Sequence, residues 1–240
     1  MKKINKNKTV KTLQITGVEY VTPICEWNYL AEISCSHTKG KQKIYELYYL
    51  NKNNEIVAHF RHNVPFAAEQ LHKDNERLFA VSIASEKYPH RIYRIEKNGT
   101  KKLLNMYNNM EFGIEDGCFA VQKDGLWGFI DADGNEIIKP QYEKYQSFKN
   151  GYACVKKDRK WGVIDKQNNV VVPFNYHYCK DFQAGISIVV NKNWSKDAIN
   201  TEGKTLYSAF RFSQIFNLGN GSILVEDKAN NKYDIININE

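Results

Sequence analysis

The 240-residue sequence lacks the features that mark membrane proteins and disulfide-rich domains. No apolar run approaches a membrane span, and the basic N-terminus has no apolar core of the kind that secretory signals carry. The five cysteines are odd in number and form no Cys-X-X-Cys pair, so we expect no disulfide framework. These absences favour a cytoplasmic protein that has no membrane association.

The sequence also lacks a recognisable catalytic or cofactor-binding motif. The Gly-Lys-Thr at 203–205 matches the end of a phosphate-binding loop, but Ala198 stands where that loop needs its first glycine. His59 and His62 are three residues apart and have no cysteine or carboxylate at metal-ligand spacing. We therefore expect a protein that is not an enzyme and that holds no cofactor or metal.

The composition is that of a folded, β-rich protein with a moderate positive charge. Hydrophobic residues make up 42% and charged residues 25% of the chain, and the 15 tyrosines favour packed strands over disorder. The net charge of +7 permits binding to nucleic acid or to an acidic protein. No run of five or more basic residues identifies either partner.

Two phrases show that the chain is built by repetition. DGLWGFIDADGN (124–135) and DRKWGVIDKQNN (158–169) place Trp-Gly, Ile and Asp in the same order, 34 residues apart. A second anchor keeps the same phase, in GCFAV, GYACV, GISIV and GSILV, which begin at Gly117, Gly151, Gly185 and Gly221. Together with weaker copies upstream, these anchors predict about six copies of one unit.

Each copy contains a polar residue that follows an apolar one, and in the first five copies Gly or Asn comes three residues later. Asp131 and Asp165 are the clearest examples. Asp and Asn side chains accept hydrogen bonds from backbone two residues on, and Gly and Asn tolerate positive φ, so the pattern predicts a hairpin turn. Each unit then has three strands and a tail with room for a fourth, shorter strand.

Recurring aromatic residues are expected to pack between neighbouring units. Trp127 and Trp161 occupy equivalent strand positions, and the glycine after each would let another backbone approach closely. A stacking platform for a ligand is the alternative, but repeat proteins bury their recurring apolar positions. Phe148 and Phe182 lie at equivalent positions in the tails and are expected to have the same packing role.

The sequence predicts an all-β protein made of tandem three- to four-stranded antiparallel units. We expect a closed six-bladed propeller-like ring, and an open curved β-repeat array is the alternative. Residues 1–240 form one repeat domain, in which 1–27 would act as a closing segment that supplies the strand missing from the last unit. The predicted units are about 28–74, 75–116, 117–150, 151–184, 185–220 and 221–240.

The stretch over about 117–185 resembles the WG-repeat (KWG-repeat) proteins of bacteria. The resemblance is carried by GLWGFIDADGNEIIKPQYEKYQSFKNG and RKWGVIDKQNNVVVPFNYHYCKDFQAG. It is weaker over 28–116 and 186–240, where Trp-Gly is lost. The resemblance implies a β-rich repeat protein that serves as a binding module, and it carries over no catalytic residues.

The first half of the chain holds insertions at 34–42, 60–74 and 85–91, and the middle insertion suggests a short helix at 67–72. Insertions in repeat proteins map to loops, where binding residues concentrate. The candidate binding residues in these insertions are Arg61, His62, Lys73, Lys87, His90 and Arg91. They would form one basic surface if the insertions share one end, although solvated loops are also rich in Lys and His.

These observations predict a non-catalytic binding scaffold that engages another protein through its repeat loops. Nucleic-acid or other polyanion binding through the basic surface is the alternative. Salt separates the two, because binding to a polyanion weakens steeply as salt rises.

Overall fold

All regular secondary structure in the described part of the chain is β-strand, as the sequence predicts. The structure is a computed structural model, and none of its described residues forms a helix long and apolar enough to cross a membrane. It describes residues 18–23, 29–39, 42–51, 55–63, 66–72, 75–83, 87–96, 99–111, 116–209, 214–227 and 230–238.

The described strands pair into six antiparallel sheets, and the chain divides into two units, Met1–Asn105 and Met106–Glu240. The first unit holds two sheets, the second of which ends just past the division. The first sheet contains β1 (Val18–Pro23), β2 (Tyr29–Lys39), β3 (Gln42–Asn51) and β4 (Ile56–His62). The second sheet contains β5 (Ala67–His72), β6 (Asn75–Ser82), β7 (His90–Ile95) and β8 (Lys101–Tyr107).

The second unit holds the other four sheets. The third sheet contains β9 (Asn109–Met110), β10 (Cys118–Lys123), β11 (Leu126–Asp131) and β12 (Glu136–Tyr142). The fourth contains β13 (Lys144–Tyr145), β14 (Tyr152–Lys157), β15 (Lys160–Asp165) and β16 (Val170–Tyr176). The fifth contains β17 (Tyr178–Cys179), β18 (Ile186–Val190), β19 (Lys196–Asn200) and β20 (Thr205–Ser208), and the sixth contains β21 (Gln214–Asn217), β22 (Ser222–Asp227) and β23 (Lys232–Asn237). The all-β repeat fold is confirmed, while the closed ring and the open array stay alternative predictions.

The fourth strand predicted in the tails exists, but it pairs forward along the chain. β13 lies in the tail at 141–151 and pairs with β14, so it is the first strand of the next sheet. The proposed closing segment behaves differently from the prediction, because β1 pairs with β2 as the edge of the first sheet. The other closing strand that we predicted, at 9–15, lies outside the described residues.

The short helix predicted at 67–72 is wrong, because these residues form β5. Ala67 pairs with Ser82, and Ala68 pairs with Val81, so the segment completes the second sheet. Six residues are too few to hold a helix through local propensity, and pairing with a buried neighbouring strand satisfies their backbone groups instead.

The polar anchors cap hairpin turns as predicted. Asp131 Oδ1 accepts hydrogen bonds from the backbone N–H of Asp133 at 2.9 Å and of Asn135 at 2.8 Å. Gly134 has a φ of 79° and donates its N–H to the Asp131 carbonyl at 3.0 Å. The same bonds recur at Asp165 in the next copy, so the repeated pattern specifies one turn geometry.

The two repeat tryptophans pack between sheets, in agreement with the prediction. Trp127 of the third sheet lies with its ring centroid 4.4 Å from that of Tyr145 in the fourth sheet. Trp161 of the fourth sheet lies 5.6 Å from Tyr178 of the fifth in an edge-to-face arrangement, and only 7% of its surface is exposed. The pairs therefore bury apolar surface at successive sheet-to-sheet contacts.

The glycine after each tryptophan admits the backbone of the neighbouring strand. A Cβ on Gly128 would lie 2.4 Å from the carbonyl oxygen of Ile138, and one on Gly162 would lie 2.7 Å from that of Val172. Both glycines sit where the strand register shifts. Trp-Gly therefore couples a bulky packing residue to a position that only glycine fits.

The tail phenylalanines also pack between sheets. Phe148 is buried and lies 4.8 Å from Phe129 of the third sheet, measured between ring centroids. Phe182 is buried and lies 5.4 Å from Tyr152 of the fourth sheet. Each tail thus contributes one aromatic residue to the contact with the preceding sheet.

The expectation of no disulfide framework did not foresee the one disulfide among the described residues. Cys154 of the fourth sheet and Cys179 of the fifth are buried and form a disulfide, with their Cα atoms 6.0 Å apart. They are 25 residues apart in sequence, and sheet packing rather than a local motif brings them together. The cytoplasmic location stays a prediction.

Candidate functional site

Four of the candidate binding residues lie at the same end of the first two sheets. Arg61 and His62 are the last two residues of β4, and His90 and Arg91 are the first two of β7. The chain passes from the end of β4 to β5 in the four residues 63–66. The structure therefore brings parts of the middle and last insertions together, as the hypothesis of one basic surface requires.

A pocket of about 100 Å³ joins Arg61, His62 and Arg91 to Lys101, a basic residue that the sequence pattern did not identify. Its basic lining residues are Arg61, His62, Arg91 and Lys101, and its apolar lining residues are Phe60, Phe66, Val81, Ile83 and Tyr93. No carboxylate is among the described residues that line it. Lys101 begins β8 outside every insertion, so no pattern in the sequence connected it with the others. We call this the first-unit pocket.

Aromatic packing shapes the apolar wall of the first-unit pocket. Phe60 lies 5.9 Å from Tyr93 between ring centroids, and His62 lies 6.3 Å from Phe66. Lys101 Nζ lies 5.7 Å from the Phe60 ring centroid, within the range of a cation–π interaction. These contacts place positive charge directly beside an apolar wall.

A buried carboxylate behind the pocket positions one of its arginines. Glu46 Oε1 lies 3.6 Å from Arg61 Nε and 3.3 Å from His59 Nε2, and the Tyr48 hydroxyl donates to Glu46 Oε2 at 3.2 Å. Burial lowers the pKa of His59 and outweighs the opposing effect of Glu46, while Lys101 and Arg61 lower it further. Glu46 therefore holds Arg61 in place without lining the pocket.

Among the described residues, His90 and Lys87 do not line the first-unit pocket. His90 Nδ1 lies 2.9 Å from Ser82 Oγ, and burial lowers the pKa of His90, which favours its neutral form. Lys87 Nζ lies 4.8 Å from the centroid of the Tyr88 ring. Lys73 lies outside the described residues.

The Gly-Lys-Thr fragment and His177 both lie next to the ends of strands. The Gly-Lys-Thr lies at the turn between β19 and β20, where Gly203 has a φ of 78°. His177 stacks on Trp194 rather than facing Cys179, which is bonded to Cys154. Over the described ranges, no three His, Cys, Asp or Glu side chains cluster in a way that could hold a metal ion.

Sequence analysis missed a second, larger concave site in the second unit. This groove of about 520 Å³ lies between the fourth and fifth sheets, and we call it the second-unit groove. It is lined by Lys160, Phe174, Asn175, Tyr176, Asn191, Lys192 and Asp197. The signal that could have revealed it is a longer hairpin loop in the fifth copy. There Asn191–Ser195 stands in place of the two-residue turns of the third and fourth copies.

A family model confirms the repeat class over part of the chain. Residues 127–161 and 161–193 each match the model described as WG containing repeat. The chain therefore contains WG-containing repeats over residues 127–193, which is the part that carries both Trp-Gly pairs. A search of curated proteins gave no match.

Solved structures show only weak likeness to this chain. BamB from Moraxella catarrhalis is 13% identical, with 86% of this chain and 67% of that chain covered and a TM-score of 0.35. A eukaryotic initiation factor is 12% identical, with 92% and 62% covered and a TM-score of 0.44. Uncharacterized protein lmo1340 from Listeria monocytogenes EGD-e is 12% identical, with 95% and 86% covered and a TM-score of 0.35. The chain spans less than two thirds of the initiation factor chain, and at these TM-scores we infer nothing about function from the likenesses.

Proposed function

We propose that this protein is a non-catalytic binding scaffold that holds an acidic segment of another protein in the first-unit pocket. The observation that carries the proposal is the convergence of Arg61, Arg91 and Lys101 on one apolar-walled pocket that has no carboxylate among its described lining residues. Glu46 already serves as a counter-ion for Arg61, so an anionic partner would chiefly be attracted by the positive charge of Arg91 and Lys101.

The size and chemistry of the pocket favour a carboxylate. A volume of about 100 Å³ accommodates the end of an acidic side chain but is smaller than the pockets of roughly 300–1,000 Å³ that hold small molecules. Arginine presents a planar fork of donors that matches a carboxylate with two parallel hydrogen bonds. The wall formed by Phe60 and Tyr93 excludes water from one side, which strengthens the attraction.

Binding of nucleic acid at the same pocket is the second candidate, and it is favoured by the net charge of +7. The aromatic side chains argue against it here. Single-strand binders use aromatic rings as open stacking platforms, whereas Phe60 is buried and packs against Phe79 with ring centroids 5.4 Å apart.

A pull-down with charge-reversed variants tests the proposal. The test variant carries Arg91→Glu and Lys101→Glu, and it leaves Arg61 unchanged because removal of that side chain would strand the buried Glu46. Lysate is treated with nuclease, and capture is measured at low and moderate salt. We expect a protein partner that the natural chain retains under both conditions and that the test variant loses.

A variant with matched charge separates the pocket from general electrostatics. Lys180→Glu with Lys204→Glu makes the same change in net charge at two exposed positions of the second unit, and we expect it to retain the partner. Equal retention by both double variants would remove the pocket from the proposal. Capture of nucleic acid alone, or loss of every partner at moderate salt, would place polyanion binding first.

A further inference from the structure

An exposed tryptophan occupies a turn position that favours glycine. Within Asn191–Ser195, Asn191 Oδ1 accepts hydrogen bonds from the N–H of Asn193 at 2.9 Å and of Ser195 at 3.2 Å, which repeats the geometry of the Asp131 turn. Trp194 stands where that turn has Gly134, and its φ is 64°. Bulky residues rarely adopt this left-handed conformation, so backbone preference does not account for Trp194.

Packing does not account for Trp194 either. The residue is 62% exposed, whereas Trp161 at the repeat position is 7% exposed. The Trp194 indole stacks on the His177 imidazole with centroids 4.3 Å apart and planes inclined by 14°. The imidazole therefore fixes the orientation of an indole that remains largely open to solvent.

The second-unit groove adjoins this stacked pair. Asn191 and Lys192 of the same turn line the groove, and so does Tyr176, which directly precedes His177. The groove volume of about 520 Å³ falls within the range of small-molecule sites. The stacked pair and the groove therefore share the Asn191–Ser195 turn and the C-terminal end of β16.

A buried carboxylate with an unsatisfied oxygen lines the groove. Asp197 is 8% exposed, and its Oδ2 accepts a hydrogen bond from Asn191 Nδ2 at 2.9 Å. Its Oδ1 is buried and has no hydrogen-bond partner. Burial of an unsatisfied acceptor is costly, so a native structure that retains one points to a donor that arrives with a ligand.

We propose that the second-unit groove binds a nucleotide, either free or as part of a single-stranded nucleic acid. A base supplies a planar face to Trp194 and an N–H donor to Asp197, and a phosphate supplies negative charge to Lys160 and Lys192. A sugar would leave the lysines without an anion, and an acidic peptide side chain would leave Asp197 without a donor. This site lies in the second unit and does not depend on the function proposed for the first.

Calorimetry on the full chain tests the site with AMP, CMP, GMP and UMP, and with inorganic phosphate as the anion control. We expect the nucleotides to bind at one site and phosphate to bind more weakly. Trp194→Ala should weaken binding roughly 5- to 150-fold, the range that the loss of one stacked base implies. Asp197→Asn should weaken it roughly 10-fold, because the one remaining side-chain oxygen is needed by Asn191 Nδ2 and an NH2 donor would face the donor of the base.

Tyr233→Ala is the matched aromatic control, because Tyr233 is 61% exposed on the sixth sheet and should not affect binding. Arg91→Glu with Lys101→Glu should also bind nucleotide normally. A failure of the proposal for the first-unit pocket can therefore be told apart from a failure of the nucleotide site. No nucleotide binding by the natural chain, equal binding by phosphate, or equal losses in Trp194→Ala and Tyr233→Ala would each overturn the proposal. A single-stranded hexanucleotide that binds more than tenfold tighter than a monophosphate identifies nucleic acid as the source, and similar affinities identify a free nucleotide.

Discussion

Gly128→Ala measures how much of the fold depends on the close approach of β11 and β12. The added Cβ would lie 2.4 Å from the Ile138 oxygen and 2.6 Å from the Pro140 nitrogen, against roughly 3.3 Å for a normal carbon–oxygen contact. These atoms are backbone, so the paired strand itself must shift. Overpacking costs about 1–3 kcal/mol, and a rigid backbone places this case near 3 kcal/mol.

The unfolded chain offsets part of this cost. Alanine has fewer backbone conformations than glycine in the unfolded chain, and this difference raises the free energy of unfolding by about 0.5–1 kcal/mol. The net loss is therefore about 2–2.5 kcal/mol, which corresponds to a fall of roughly 4–10 °C in Tm for a chain of this size. Urea unfolding monitored by circular dichroism measures the free energy of unfolding of each variant.

Gly117→Ala is the control for Gly128→Ala. Gly117 has a φ of 79°, and no atom lies within 4 Å of its Cβ position, so only left-handed strain is tested. That strain costs about 1–2 kcal/mol before the same offset, which leaves a net loss of about 1 kcal/mol. A Gly128→Ala variant as stable as the natural chain, or more stable than Gly117→Ala, would refute the argument from close approach.

Four further measurements test other parts of the structure. Trp161→Ala removes a buried indole and should cost about 3–5 kcal/mol in the free energy of unfolding by urea titration; a loss below 1 kcal/mol would contradict its packing role. The pKa of Asp165 is lowered because accepted hydrogen bonds outweigh the opposing effect of burial. The Asp165 carboxylate therefore stabilises the fold above about pH 4, and this stabilisation is lost on acidification. The free energies of unfolding of Asp165→Ala and of the natural chain should converge at low pH. The pKa of His90 is lowered by burial, so the unfolded chain binds the extra proton first and stability should fall as the pH drops below about 6.5; His90→Gln should make that slope shallower, and His59 accounts for part of what remains. Peptide mapping without reductant should recover Cys154 linked to Cys179, and reduction should cost about 3 kcal/mol for a loop of this length; recovery of both as thiols would exclude the pair.

Local patterns predicted the parts of the fold that are determined within one copy. Asp131 and Asp165 identified their turns because the side chain, the two free positions and the final Gly or Asn all lie within five residues. Trp127 and Trp161 identified sheet-to-sheet packing because bulk recurred at a fixed spacing. The segment at 67–72 misled because its composition suits a helix, while its pairing with β6 is non-local.

Contacts between copies could not be predicted from the sequence. β13 and β17 are two residues long and carry too little pattern to show that they pair forward. Lys101 reaches the first-unit pocket from β8, and Cys154 reaches Cys179 across two sheets. In both cases, tertiary packing joins residues whose local sequences share no signal.

The forward-pairing strands β13 and β17 leave almost no linker between the third and fourth sheets or between the fourth and fifth sheets. Only Glu143 separates β12 from β13, and only His177 separates β16 from β17, whereas the longer loops lie inside the sheets. A protease would therefore nick a sheet before it separated two of them, and the fragments should stay associated. Duplication or deletion of one full copy could therefore change the number of copies wherever in the repeat it begins. Each added copy would donate a tail strand to the next sheet and would receive one from the copy before it.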